Sequence, residues 1–234
     1  MKYKSTIKAE FLYRKNRFIA ICKKGFLSLT VYVPNTGRCK ELLTEGATVF
    51  LTYDDNPNRK TSYTLIAVMK GEKMINIDSQ APNQIVEEAL LKNKIDLGFK
   101  YNKIKREYTH GDSRFDFYLE GENKKALLEV KGVTLEKNGI VAFPDAPTSR
   151  GLKHIKGLIN SRDEYLTYLL FVIQMKDVKF FTPNYLTDEN FSKGLLEASN
   201  NGVKILAYDC LVRRNSLEIS EKVPVILEEK WNLD

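Results

Sequence analysis

The hydrophobic pattern changes character once along the chain, at Ser79–Asn83 around Pro82, so one uniform architecture cannot accommodate both sides. Before that point the apolar residues fall in short runs, Arg17–Lys23, Phe26–Val33, Ala47–Tyr53, Ser62–Met69 and Met74–Ile77. Lys24-Gly25, Pro34-Asn35-Thr36-Gly37 and Asp55-Asn56-Pro57-Asn58 separate them with strong turn chemistry. About five short strands in so small a segment predict a closed barrel of the OB type over residues 1–81. Beyond it, Ile85, Ala89 and Leu90 recur at helical spacing within Asn83–Lys94. Strands are predicted at Lys103–Tyr108, Arg114–Leu119 and Ala126–Val133, then a helix capped by Thr148 or Ser149 and running to about Asn160. A buried strand at Tyr165–Gln174, a helix at Asp188–Ser199 and a strand at Val203–Cys210 follow, with a charged, peripheral tail after Arg213. The fold class is therefore α+β: an OB-like barrel, then residues 82–234 as an α/β unit with helices on a mixed sheet.

Charge follows the same boundary. Residues 1–81 hold 14 Lys/Arg against 7 Asp/Glu, whereas residues 82–234 hold 23 of each, so the whole net charge of +7 lies in the first third. A basic module beside a neutral one suggests polyanion binding; a basic surface kept for solubility is the ordinary alternative. Three scattered cysteines (Cys22, Cys39, Cys210) and two distant histidines (His110, His154) argue against a disulfide framework and zinc chemistry. No apolar run approaches the roughly 20 residues of a bilayer span, and MKYKSTIKAE has no secretory apolar region, so a soluble cytoplasmic protein is expected.

Chemistry concentrates in the second part. Four [Asp/Glu]-x-Lys triplets occur, but only Glu129-Val130-Lys131 ends an apolar strand, Ala126-Leu127-Leu128. Alternation along the strand puts Glu129 and Lys131 on one face. Asp116, between Phe115 and Phe117 on the preceding strand, comes near Glu129 if the two strands form a hairpin. Two acids and a lysine converging on a sheet suit Mg²⁺- or Mn²⁺-dependent phosphodiester hydrolysis, with Asp116 and Glu129 as metal ligands and Lys131 near the water or phosphate. A structural Lys–Glu pair accounts for the same spacing. On the helix after Phe143-Pro144-Asp145-Ala146-Pro147, Arg150, Lys153 and His154 lie opposite Leu152, Ile155 and Ile159, where they can meet a phosphate or simply face solvent. In the barrel, Arg14, Lys15, Arg17, Arg38, Arg59 and Lys60 punctuate strands carrying Phe11, Tyr13, Phe18, Phe26, Tyr32, Phe50, Tyr53 and Tyr63; half of these aromatics belong to the core in any reading, and cations at loops beside the others suit tracking a phosphate backbone and stacking bases.

Five ordered runs resemble the sugar fermentation stimulation protein A family: Pro34-Asn35-Thr36-Gly37-Arg38, Ser113-Arg114-Phe115-Asp116-Phe117, Glu129-Val130-Lys131-Gly132-Val133-Thr134-Leu135, Phe143-Pro144-Asp145-Ala146 and Arg150-Gly151-Leu152-Lys153-His154. Arg59-Lys60-Thr61 and Pro82-Asn83 fit as well, and the similarity extends from about Phe11 to Val212. The resemblance implies an OB-like domain, a PD-(D/E)xK nuclease-like domain, DNA binding and a link to the regulation of maltose metabolism. It carries the nuclease-like acids onto Asp116 and Glu129 and the motif lysine onto Lys131, with Glu87 or Glu88 as an added ligand. Tyr32 stands where the family pattern has histidine, and Gly132 where serine is common. The expectation is a DNA-binding protein with a Mg²⁺ or Mn²⁺ site, as a metal-dependent endonuclease or exonuclease. The rival is a non-catalytic DNA-binding regulator on a nuclease-like scaffold; a carbohydrate-binding OB module fits the basic charge less well.

Overall fold

A computed structural model describes residues 1–35, 37 and 39–229. The first six strands are β1 (Thr6–Arg14), β2 (Ile19–Lys24), β3 (Leu27–Tyr32), β4 (Thr48–Tyr53), β5 (Tyr63–Lys70) and β6 (Lys73–Asn76). β1 pairs with β4 along its first half and with β2 along its second, with a register shift between Phe11 and Tyr13. That break lets one strand serve both sides of a barrel. Parallel pairing of Val31 and Tyr32 in β3 with Tyr63 and Thr64 in β5 closes it. Ala20, Cys22, Val31, Val49, Leu51 and Leu65 point inward and are fully buried. The barrel expected from the turn spacing is present, with β1 as an extra strand. Its alternation is legible only at Ala9 and Phe11, because the rest of the strand is half exposed.

The second part has helix α1 (Ala81–Leu91), then β7 (Lys103–His110), β8 (Ser113–Gly121), β9 (Lys124–Val133), β10 (Leu135–Lys137) and β11 (Ile140–Phe143). Helix α2 (Ser149–Asn160), β12 (Leu166–Ile173), β13 (Phe180–Pro183), helix α3 (Glu189–Asn200), β14 (Lys204–Arg213) and β15 (Ser216–Lys222) complete it. The main sheet runs β15-β14-β12-β9-β8-β7, parallel at β9–β12–β14 and antiparallel elsewhere. Thr148 caps α2 by accepting from Gly151 N, and Asp188 caps α3 by accepting from Phe191 N. α1 covers one face of the sheet, with Ile85, Val86 and Leu90 on Leu128, Val130 and Leu170. α2 and α3 cover the other, with Ile155, Leu158, Phe191 and Leu195 on Leu127, Leu169 and Phe171.

Two expectations need correction. The tail after Arg213 is not peripheral: β15 pairs with β14, and Leu217 and Ile219 are buried beside Cys210 and Ile85. The small sheet β10-β11-β13 was also not foreseen. The two parts share one contiguous core, which holds Phe11, Val31 and Leu51 of the barrel together with Leu127, Phe171 and Phe191. Polar contacts reinforce that junction. Gln174 Nε2 donates to Asn76 Oδ1 at 2.8 Å and to Asp78 O at 3.0 Å, and Lys70 pairs with Glu136 at 2.7 Å.

Candidate functional site

β8 changes the facing of its side chains at Asp116. Phe115 packs under α2 while Phe117 packs under α1, so two odd-numbered neighbours face opposite sides of the sheet. The β8–β9 register also stops at Phe117↔Leu128. Across β7, Glu107 adopts φ 54°, a left-handed conformation uncommon for a side-chain-bearing residue. Freed from regular pairing, Asp116 accepts Val130 N–H at 2.8 Å through Oδ2 and Asn83 Nδ2–H at 2.7 Å through Oδ1. Burial, and next the charge of Glu129, push its carboxyl above the usual range.

Glu129 is 2% exposed. Its Oε1 accepts from Lys131 Nζ at 2.5 Å and also pairs with His154 Nδ1. Burial alone would raise its carboxyl, but His154 and Lys131 outweigh that and hold it below the usual range. The other oxygen, Oε2, is buried with no hydrogen-bond partner among the described residues. A buried anionic acceptor left unmatched is costly unless something else satisfies it. Arg150 Nε lies 3.5 Å from His154 Nε2, the ring nitrogen that Glu129 does not occupy.

These groups line a cleft of about 380 Å³ whose rim adds Arg106 and Arg114. Arg106 pairs with Glu87 at 3.0 Å, and Arg114 with Glu107 at 2.9 Å. The structure therefore brings together Asp116, Glu129, Lys131, Arg150 and His154. Lys153 is exposed and does not line the cleft, and His154 turns inward to Glu129 rather than outward beside Lys153. Neither Glu87 nor Glu88 lines the cleft: Glu87 holds Arg106, and Glu88 holds the N-terminal ammonium at 2.7 Å. Asn83, one turn before Glu87 on α1, is the helix residue that touches Asp116. Asn83, Arg106 and Arg114 had been given no site role, although the Pro82-Asn83 and Ser113-Arg114 pairs lay within runs already singled out. Among the described residues no group of three or more His, Cys, Asp or Glu side chains is arranged to hold a metal.

The barrel cations have separate settings. Arg14 donates to the carbonyls of Arg17, Asn35 and Gly37 at 2.5, 2.8 and 2.6 Å, which ties the loop after β3 to the end of β1. Arg59 is held by Asp54 at 2.7 Å and Thr64 at 2.6 Å. Lys15, Arg17 and Lys60 are exposed, with Arg17 lying 5.9 Å from the centre of the Phe18 ring. Arg38 lies outside the described residues. Cys22, Cys39 and Cys210 are buried free thiols, and burial pushes Cys22 and Cys39 up to about 12.

The family described as the sugar fermentation stimulation protein RE domain matches residues 80–216, and the SfsA N-terminal OB domain matches residues 12–77. The sugar fermentation stimulation protein homologue of Clostridium beijerinckii is 50% identical over 228 residues, 97% of this chain and 100% of that protein. Its counterpart in Clostridium botulinum strain Langeland is 52% identical over 224 residues, 95% of this chain and 97% of that protein. Among solved structures, Pyrococcus furiosus SfsA in complex with Ca²⁺ aligns with a TM-score of 0.86 at 26% identity, covering 97% of this chain and 98% of that one. No helix among the described residues is long and apolar enough to cross a membrane.

Proposed function

The chain belongs to the sugar fermentation stimulation protein family, and we propose that its second domain binds a divalent cation between Asp116 and Glu129 for work on a nucleic-acid phosphodiester. The observation that carries this reading is the unmatched Glu129 Oε2, buried beside a second carboxylate whose ionisation is opposed by burial and by the Glu129 charge. A cation between the two relieves both penalties. Hard oxygen donors of this kind suit Mg²⁺, Mn²⁺ or Ca²⁺, and the relative from Pyrococcus furiosus was solved with Ca²⁺. When bound, such an ion neutralises phosphate charge and acidifies its water.

The chain's own residues supply the rest. Asn83 and the Val130 N–H fix the Asp116 carboxylate, and His154 fixes Glu129 from α2. Lys131 and Arg150 bring positive charge to the cleft, where a phosphate enters against the two acids. Basic residues of the barrel extend contact along the backbone with little dependence on sequence. This is a DNA-binding protein with a metal-dependent phosphodiesterase centre.

One observation favours a second reading, a scaffold that grips DNA without cutting it: among the described residues the third carboxylate of the cleft lining, Glu107, is held by Arg114 at 2.9 Å, and Asn83 rather than an acid reaches Asp116 from α1. Cleavage assays separate the two. Nuclease-free protein with Mn²⁺ is expected to cut at least one of single-stranded, nicked or flapped DNA, and Lys131→Ala to abolish the cutting with little loss of DNA affinity. If all three DNAs stay intact while binding, the scaffold reading holds.

A further inference from the structure

The break at Asp116 has a counterpart on the neighbouring strand. Arg106 pairs with Phe117 and Tyr108 with Phe115, so Glu107 stands directly opposite Asp116, and neither of the two is paired in the ladder. β7 changes faces there as β8 does: Ile104 packs against the layer under α1, whereas Tyr108 packs against the layer under α2. The left-handed backbone at Glu107 accommodates the change. Opposed residues of an antiparallel pair have Cα atoms about 4.5–5.5 Å apart, a gap that a glutamate side chain spans. Glu107 lines the cleft with Asp116 and Glu129, yet its carboxylate is turned to Arg114 Nε at 2.9 Å.

We infer that Glu107 is a third carboxylate ligand for the cation of this cleft, held off it by Arg114 until a phosphate takes the guanidinium; the inference rests on the metal and phosphodiester reading above. The donor count gives the reason. Glu129 is already engaged by Lys131 and His154 through Oε1, and only its buried Oε2 is unmatched among the described residues. Asp116 already accepts hydrogen bonds through both oxygens, from Asn83 and from Val130 N–H. Mg²⁺, Mn²⁺ and Ca²⁺ take six or more ligands, so two acids engaged in this way leave a deficit of oxygen donors and of negative charge. Another carboxylate at the same break supplies both. The restraint on it is weak enough to be exchanged. With side chains 63% and 50% exposed, the Arg114–Glu107 pair stabilises little in water. A phosphodiester offers Arg114 a bidentate partner in place of Glu107, so phosphate binding and release of Glu107 toward the ion go together.

Calorimetry of Mn²⁺ binding to the full-length protein tests this with Glu107→Gln, Arg114→Ala and the two combined. Glu107→Gln is expected to weaken binding roughly tenfold, within the span over which ligand charge sets affinity. Arg114→Ala should tighten it up to about fivefold, the most that an exposed ion pair accounts for. That gain should vanish once Glu107 is replaced. Loss of a positive charge near a cation would by itself tighten binding at least as much without Glu107 as with it, so the double variant separates ligation from simple repulsion. Arg106→Ala is the matching control, since its partner Glu87 does not line the cleft, and its gain should be smaller. Both altered side chains are exposed, so thermal melts should match wild type. For the phosphate step, saturating Ca²⁺ should raise the affinity for fluorescein-labelled dT12 more in wild type than in Glu107→Gln, because the two ligands break one shared pair. Equal enhancement contradicts the exchange at Arg114. Unchanged Mn²⁺ affinity in Glu107→Gln, or a gain from Arg114→Ala that survives in the double variant, overturns the role of Glu107. Absent Mn²⁺ binding by wild type defeats the metal reading and this inference with it, whereas normal binding by wild type and Glu107→Gln alike defeats only the inference.

Discussion

Glu129 on β9 and His154 on α2 share a hydrogen bond at the floor of the cleft, joining the sheet to the helix beside it. The bond occupies Oε1 and leaves Oε2 of the same carboxylate unmatched. His154→Ala removes a partner from a buried acid and should cost about 1–3 kcal/mol in denaturant unfolding. It should also weaken Mn²⁺ binding roughly 10- to 100-fold, as loss of an orienting partner does elsewhere. A merely structural histidine would lower stability and leave the metal affinity of the folded protein unchanged.

Glu136 predicts the response to acid. It accepts from Lys70 Nζ at 2.7 Å across the junction of the two parts and from Gly139 N at 2.6 Å within its own hairpin. Burial opposes its ionisation, but those bonds win and hold the carboxyl below its usual range. Its charge therefore stabilises the fold above the ordinary glutamate range and stops doing so as pH falls through the lowered value. Glu136→Gln should cost about 1–2 kcal/mol at pH 7, a figure reduced because Lys70 is a third exposed. Urea melts over decreasing pH should show the gap between variant and wild type closing below that lowered value. A gap that widens in acid contradicts the assignment.

Leu217 tests the part that β15 plays. It is fully buried in the layer under α1, and its N–H donates to Met1 O at 3.2 Å. Leu217→Ala should cost roughly 2–5 kcal/mol, the range for a large core truncation. A loss within experimental error of zero by chemical denaturation would return the tail to the periphery.

Much of this architecture could be read from residues, and the failures have physical causes. Turn chemistry at Lys24-Gly25 and Asp55–Asn58 divided the barrel, and apolar spacing with Thr148 and Asp188 located the helices. β10 and β11 were missed because three or four residues are too short to display a period, although Asn138-Gly139 between them, at φ 56° and 82°, is a strong hairpin signal. β15 was missed although Leu217-Glu218-Ile219-Ser220 alternates, because two apolar residues are too few to carry a strand pattern within a charged segment. At the site, strand alternation put Glu129 and Lys131 on one face, and the structure joins them at 2.5 Å. It could not show that His154 turns inward, since a helix pattern does not reveal whether a polar residue meets water or a buried partner. Nor could it show the break at Asp116, which depends on pairing across β7 and β9.

The most direct test is calorimetric titration of Mn²⁺ into wild-type protein and the Asp116→Asn/Glu129→Gln double variant at neutral pH, with circular dichroism confirming that both are folded. Wild type should bind one Mn²⁺ with measurable heat, and the double variant should show none over the same range. Equal affinity in the two proteins would place the metal elsewhere and contradict the account.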